Sequence, residues 1–324
     1  MGWGGRIRES AEREKEGGKL PQLVLPDSFN YIACFLTFSC QLRCTYCINH
    51  HGGNLVKDRR MPGEDWIKGI NRLVIPHPDL PVTLQGGEPT THKDFYKIVN
   101  GIRADIPIDV LTNFEVDVER WIGEISPERL RRPSKYASIR VSYHHGQSRQ
   151  EELFPRVYRA LQKGFHIGIW EVGHPDYYSD VLKRQKIAQD MGIDYRVKEF
   201  LGPWKGVNHG TFRYDKAVNA AELRNCLCKT SELLIDPKGS IFRCHSDLYA
   251  DRGSIGNIMG SESCTLGAWR FCEVMGKCNS CDVKLKTNRH QEHGHSSVEI
   301  KDISTPYAKN DEYVKEVVNT YGKR

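Results

Sequence analysis

The chain of 324 residues contains no apolar run near the length that spans a bilayer, so no membrane helix is expected. Its first residues, Met1-Gly2-Trp3-Gly4-Gly5-Arg6, lead into charged sequence without an apolar signal core. That predicts a chain that is not secreted, with a cytoplasmic location. No dense Lys/Arg tract accompanies the mild formal charge of +6, and no RNA-binding module is recognisable. Nucleic acid is therefore not an expected partner. No internal repeat occurs beyond an alternation of strand-like and helix-like segments. Cysteine, by contrast, is plentiful. Eleven cysteines without secretion point to metal binding in a reducing compartment rather than to disulfides.

A further absence lies in the run Cys40-Gln41-Leu42-Arg43-Cys44-Thr45-Tyr46-Cys47. Three cysteines at C-x3-C-x2-C spacing can hold three irons of a 4Fe–4S cluster, and no fourth cysteine follows nearby. Electron-carrying clusters use four cysteines, so an iron without a protein ligand implies that a substrate or cofactor binds there. A structural zinc site would want four protein ligands; His50 and His51 follow closely but complete no regular finger spacing. Downstream, the short strand Pro81–Leu84 runs into Gln85-Gly86-Gly87-Glu88-Pro89. Two glycines permit unusual dihedrals and close backbone approach, and the carboxylate beyond them can accept hydrogen bonds from an ammonium group.

The coarse pattern predicts strands at Tyr31–Phe38, Val82–Leu84, Ile108–Thr112, Tyr136–Ser142, His166–Val172 and Tyr195–Phe200. Helices are expected at Glu64–Leu73, Asp94–Ala104, Glu151–Lys163 and Tyr178–Asp190, the last two closed by Gly164 and Gly192. Six β–α units imply an α/β fold with a parallel sheet, too few to close an eight-stranded barrel. The expected architecture is an open six-unit (β/α)6 partial TIM barrel. The cysteine run and the Gly-Gly-Glu-Pro turn both fall at carboxyl ends of strands, where ligands bind such sheets.

A second cysteine group follows. After Cys226-Leu227-Cys228, the strand Leu233–Ile235, the turn Asp236-Pro237-Lys238-Gly239 and the return strand Ser240–Cys244 read as a β-hairpin. The knuckle Cys278-Asn279-Ser280-Cys281 can complete a four-thiolate cage with Cys244 and either Cys226 or Cys228; the same thiolates would equally suit a zinc ribbon. Cys34 reads as a buried core thiol. Cys272 lies near the knuckle as a spare ligand or hydrogen-atom donor. His290, His293 and His295 form a loose, solvated group. Helices are expected near Ala11–Glu16 and Tyr307–Tyr321.

On its cysteine run and its GGEP turn, the chain resembles the radical S-adenosylmethionine (SAM) enzymes, a family of partial barrels. The resemblance implies that Cys40, Cys44 and Cys47 carry a 4Fe–4S cluster whose open iron chelates the methionine part of SAM. Reductive cleavage of the sulfonium then gives a 5′-deoxyadenosyl radical that abstracts hydrogen from substrate. It also implies that Tyr46 lies beside adenine and that Gly86, Gly87 and Glu88 hold the methionine amino group. Asn113 and Ser142 would contact SAM, although Phe114 stands where the family often has glycine. Ile167–Glu171 is similar to the stretch that packs along adenine. The later cysteines resemble SPASM and twitch extensions, which carry auxiliary 4Fe–4S clusters. With no cysteine after Cys281, one auxiliary cluster is implied, on Cys226, Cys244, Cys278 and Cys281.

The implied organisation is a polar extension at 1–30, the barrel at 31–201 and a linker at 202–225. A cysteine-rich β-hairpin/helix domain at 226–285 and a polar tail at 286–324 follow. The implied activity is oxidation or modification of a small polar molecule or a peptide side chain, fed by a reductant such as a flavodoxin or ferredoxin. The residues that act on the substrate are not identified by the sequence, and only about 39 residues precede Cys40, without the strand–helix pattern of a leader-binding domain. Trp204, Lys205, His209, Phe212 and Arg213 suit either a substrate site or a surface linker. Two other readings are a non-catalytic iron–sulfur or zinc electron-transfer or scaffold protein, and an RNA-modifying member of the same family, which would bind RNA in a salt-sensitive way.

Overall fold

The structure, a computed structural model, describes residues 20–47, 60–219, 222–261, 264–286 and 296–304. Six parallel strands neighbour one another in chain order: β1 (Tyr31–Thr37), β2 (Val82–Gly86), β3 (Ile108–Thr112), β4 (Ile139–Tyr143), β5 (Ile167–Gly173) and β6 (Asp194–Glu199). Between them run α1 (Gly63–Asn71), α2 (Phe95–Gly101), α3 (Val118–Glu124), α4 (Gln150–Gln162) and α5 (Tyr178–Asp190). The alternation of β1 splits its residues between two apolar clusters: Ile32, Cys34 and Leu36 join Trp66, Ile70, Phe95 and Trp121, while Ala33 and Phe35 pack with Leu234 and Phe242. Cys34 is thus a core thiol, and burial pushes its pKa up.

Helix α3 was absent from the sequence expectation. Its N-cap Asp117 accepts from the Glu119 and Arg120 N–H groups, and Val118, Trp121, Ile122 and Ile125 face the core at helical spacing, a signal of only two turns that the sequence reading passed over. Helix α2 stops short of Ala104 because Ile102 is already extended.

The later chain supplies β7 (Arg224–Thr230), β8 (Glu232–Ile235), β9 (Ser240–Phe242), β10 (Gly256–Asn257), β11 (Arg270–Met275) and β12 (Val298–Asp302). The hairpin β8–β9 does not stand apart from the barrel. Strand β8 pairs in parallel with β1, Glu232 opposite Tyr31 and Ile235 opposite Cys34, so one open nine-stranded sheet runs β10-β9-β8-β1-β2-β3-β4-β5-β6. The β8–β9 turn has the expected chemistry: Asp236 Oδ1 accepts from the Lys238 and Ser240 N–H groups, and Gly239 takes φ +83°. Strands β11, β7 and β12 form a separate antiparallel sheet in that order. Short helices α6 (Asp215–Asn219), α7 (His245–Tyr249) and α8 (Ser280–Val283) complete this region.

Within the expected linker at 202–225, Gly202–Trp204 and Val207–His209 pair as a hairpin ahead of α6. The helices expected near residues 11–16 and 307–321, together with His50, His51, His290, His293 and His295, lie outside the described residues. No helix among the described residues is long and apolar enough to cross a membrane.

Candidate cofactor and substrate cavity

Strand β1 delivers the cysteine loop at the carboxyl end of the sheet. Thr37 Oγ1 accepts from the Ser39 N–H (2.9 Å), Arg43 Nη1 donates to the Cys40 carbonyl (2.7 Å), and the Cys47 N–H donates to the Cys44 carbonyl (3.2 Å). Strand β2 ends directly beneath this loop. The Gly87 and Glu88 N–H groups donate to the carbonyls of Thr37 (2.7 Å) and Ser39 (2.8 Å). Only glycine fits there: a Cβ on Gly86, whose φ is +145°, would stand 2.0 Å from the Thr37 oxygen, and one on Gly87 would stand 2.3 Å from that of Ser39. The two glycines therefore dock one motif against the other.

Glu88 is 1% exposed. Its Oε1 accepts from Thr90 N (3.1 Å), Thr90 Oγ1 (2.6 Å) and Thr112 Oγ1 (2.7 Å), and its Oε2 accepts from the Asn113 N–H (2.6 Å). Burial raises its pKa, and these donors offset only part of the rise. Asn113 reaches back to the cysteine loop, Nδ2 lying 3.7 Å from Cys40 Sγ and Oδ1 accepting from Gln41 Nε2 (3.1 Å). Phe114 holds φ +58° without being glycine; its ring is fully buried against Trp121, 5.2 Å away.

These residues line one cavity of about 1680 Å³ at the carboxyl ends of the barrel strands. Cys40, Cys44, Cys47, Tyr46, Gly86, Gly87, Glu88, Asn113 and Ser142 all border it. The Ser142 hydroxyl has no hydrogen-bond partner among the described residues. Burial raises the Cys40 and Cys44 thiols, Cys44 to about 11, with the neighbouring cysteines adding to the rise. Thiols that resist losing protons to water become thiolates when a cationic group takes the protons' place, and three on one loop fit three irons of a 4Fe–4S cluster.

The sequence reading missed an aromatic wall. Tyr46 OH lies 3.5 Å from His144 Nδ1, and burial lowers the His144 pKa to about 4. His174 stacks on Tyr177 (4.3 Å) and meets Trp204 edge-on (4.5 Å); Tyr177 also stacks on His145 (3.7 Å). The clue was the placement of His144 and His174 just after two strands. Trp170 of the Ile167–Glu171 stretch borders the cavity, as does Trp204.

The second cysteine group assembles differently from the expected set. Residues two apart on β7 share a face, and Cys226 pairs in register with Cys272 of β11. The sulfurs of Cys226, Cys228 and Cys272 consequently lie within 4.8 Å of one another, those of Cys226 and Cys228 at 3.3 Å. Cys272 is drawn towards thiolate by hydrogen bonds from the other two. Cys244 and Cys278 belong to the same buried cluster, Cys244 Sγ accepting from Arg270 Nη2 at 3.5 Å. Cys281 instead borders the large cavity. Nearby, His245 Nδ1 lies 2.8 Å from Asp282 Oδ1 and 3.6 Å from Glu232 Oε2, and Glu232 Oε1 also accepts from Lys286 and Ser297.

The profile described as "Radical SAM superfamily" matches residues 35–212, more than half of the chain. The chain belongs to the radical SAM superfamily. That superfamily is one of enzymes, and a 4Fe–4S cluster with SAM is its cofactor pair. Among curated proteins, this radical SAM chain is 24% identical over 303 residues to molybdenum cofactor biosynthesis protein moc-5 of Caenorhabditis elegans, covering 89% of the chain and 48% of the relative. It is 30% identical over 152 residues to GTP 3′,8-cyclase of Mannheimia succiniciproducens, covering 43% and 42%. The chain thus spans about half or less of the length of these relatives. Among solved structures, Streptococcus suis SuiB matches at 14% identity and TM-score 0.46, over 78% of this chain and 67% of that one. Native anSMEcpe with bound AdoMet matches at 16% and 0.46, over 71% and 77%.

Proposed function

We propose that this chain reductively cleaves SAM and uses the resulting radical to abstract hydrogen from a small polar molecule or a peptide side chain. The observation that carries the reading is convergence: a cysteine loop, a GGEP turn and two strand-end side chains, far apart in sequence, line one cavity. In this reading Cys40, Cys44 and Cys47 hold the cluster. Bound cluster and SAM supply the one-electron and radical chemistry. Glu88 Oε2 accepts from a single backbone N–H and so retains lone pairs for an ammonium group. Asn113 orients Cys40, and the Ser142 hydroxyl is available to a ribose. Tyr46 and His144, which is uncharged near neutral pH, offer an aromatic surface to a base. The wall around His174 and Tyr177 keeps water from a reactive species. An auxiliary 4Fe–4S cluster is assigned to Cys226, Cys228 and Cys272, with Cys244 or Cys278 as fourth ligand in place of Cys281. A flavodoxin- or ferredoxin-type donor supplies the electron.

The test is 5′-deoxyadenosine formation by anaerobically reconstituted protein with SAM and dithionite, against the Cys44→Ala variant. Formation that depends on Cys44 is expected. A cluster-loaded protein that forms none would leave an electron-transfer or scaffold role. A second reading, a nucleotide substrate, is favoured by the names of the GTP 3′,8-cyclase relatives, and mass spectrometry of GTP consumption in the same assay tests it.

A further inference from the structure

The cavity carries more cationic than anionic side chains. Groups assigned to SAM come from the cysteine loop and the ends of β2, β3 and β4. Arg140 on β4, Lys198 on β6 and Lys284 just after α8 all border the same cavity, with Lys198 near enough to His144 to help lower its pKa. Lys198 Nζ and Lys284 Nζ have no hydrogen-bond or ion-pair partner among the described residues. Arg140 shares its carboxylate: Asp109 accepts from Arg132 Nε (2.6 Å) and Nη2 (2.7 Å) as well as from Arg140 Nη2 (3.1 Å), so one negative charge faces two guanidinium groups. Arg140 Nε is buried and has no hydrogen-bond partner among the described residues.

Among the described residues no carboxylate bordering the cavity forms an ion pair with Lys198 or Lys284, and Asp176 is paired with Lys205 at 2.9 Å. The buried lysine of the cavity, Lys286, is already paired with Glu232, while Lys198 and Lys284 are half-buried. Burial, with Arg140 and Lys284 adding repulsion, lowers the Lys198 ammonium to about 7. Clustered cations taken out of water are costly unless an anion meets them.

We infer that Arg140, Lys198 and Lys284 form a receptor for an oxyanion of the substrate, a phosphoryl or carboxylate group. The word substrate rests on the radical reading of the cavity; the anion site itself does not. The guanidinium offers directional donors, and the two ammonium groups act as point charges. An anion held there would anchor one end of the substrate in the cavity that the cysteine loop also borders, which restricts the substrate's orientation.

The experiment is calorimetric titration of the reconstituted full chain, saturated with SAM, with inorganic pyrophosphate and separately with tricarballylate. Binding of either supports the inference; pyrophosphate alone assigns a phosphoryl group, and tricarballylate alone assigns a carboxylate. Lys198→Met and Lys284→Met should each weaken binding roughly tenfold or more, as for loss of one member of a desolvated charge pair, while Lys183→Ala on the outer helix α5 should not. Circular dichroism and iron content report whether the variants are folded and loaded. Binding of neither probe, equal binding by wild type and both variants, or displacement of SAM by the probe would overturn the site. None of these outcomes depends on 5′-deoxyadenosine formation, whose failure would instead overturn the radical reading.

Discussion

Phe114 occupies a left-handed backbone position that glycine would take without strain. Replacing it with glycine relieves about 1–2 kcal/mol of backbone strain, but removing a fully buried ring costs about 3–5 kcal/mol. The ring dominates, so Phe114→Gly should lower stability by roughly 1–4 kcal/mol, read as a lower urea midpoint at unchanged slope. Gly86 presents the opposite case. Alanine there would place Cβ 2.0 Å from the Thr37 oxygen, so Gly86→Ala should destabilise by roughly 2 kcal/mol or more and reduce iron retained at the cysteine loop. The sequence disclosed that this turn needs glycine and that a carboxylate follows it. It did not disclose that the glycines seat against the cysteine loop, because that contact joins backbone atoms of distant segments.

At the scale of elements, long periodic segments were legible and short ones were not. Helix α4 occupies Gln150–Gln162 against an expected Glu151–Lys163, with Leu153, Val157 and Ala160 buried as its pattern predicted, whereas α3 has the same kind of pattern over only seven residues and was passed over. The second cysteine group carries the same lesson. Spacing along the chain favoured the C-x2-C knuckle, but the register of β7 on β11 brings Cys226 opposite Cys272. Pairing between strands separated by some forty residues leaves no local trace. Cys272→Ala is therefore expected to remove about four irons per chain, one cluster's worth, while Cys281→Ala retains them. Iron and zinc analysis of both variants decides it.

Across the whole molecule, a buried polar junction ties the C-terminal segment to the barrel. Glu232 begins β8 opposite Tyr31 of β1 and accepts from Lys286 and Ser297. Lys286→Met should destabilise by about 3–5 kcal/mol, because it leaves a buried carboxylate without its cation. Adding Glu232→Gln should recover most of that loss, and the double-mutant cycle measures the coupling. The alternation of six strands and five helices was foreseeable apart from α3; the parallel pairing of β8 with β1 was not, since a hairpin read in isolation has no reason to join a sheet begun near residue 31. That pairing also sets an order of events on the ribosome. Strand β1 emerges early and then waits for Glu232–Ile235 to be synthesised, roughly 10–40 s at 5–20 residues per second. Through that interval one margin of the nascent sheet has unmet backbone donors and acceptors, a template for mispairing. Overexpression without chaperones should therefore fail through aggregation of incomplete chains, and slowing translation after β6 should worsen the yield.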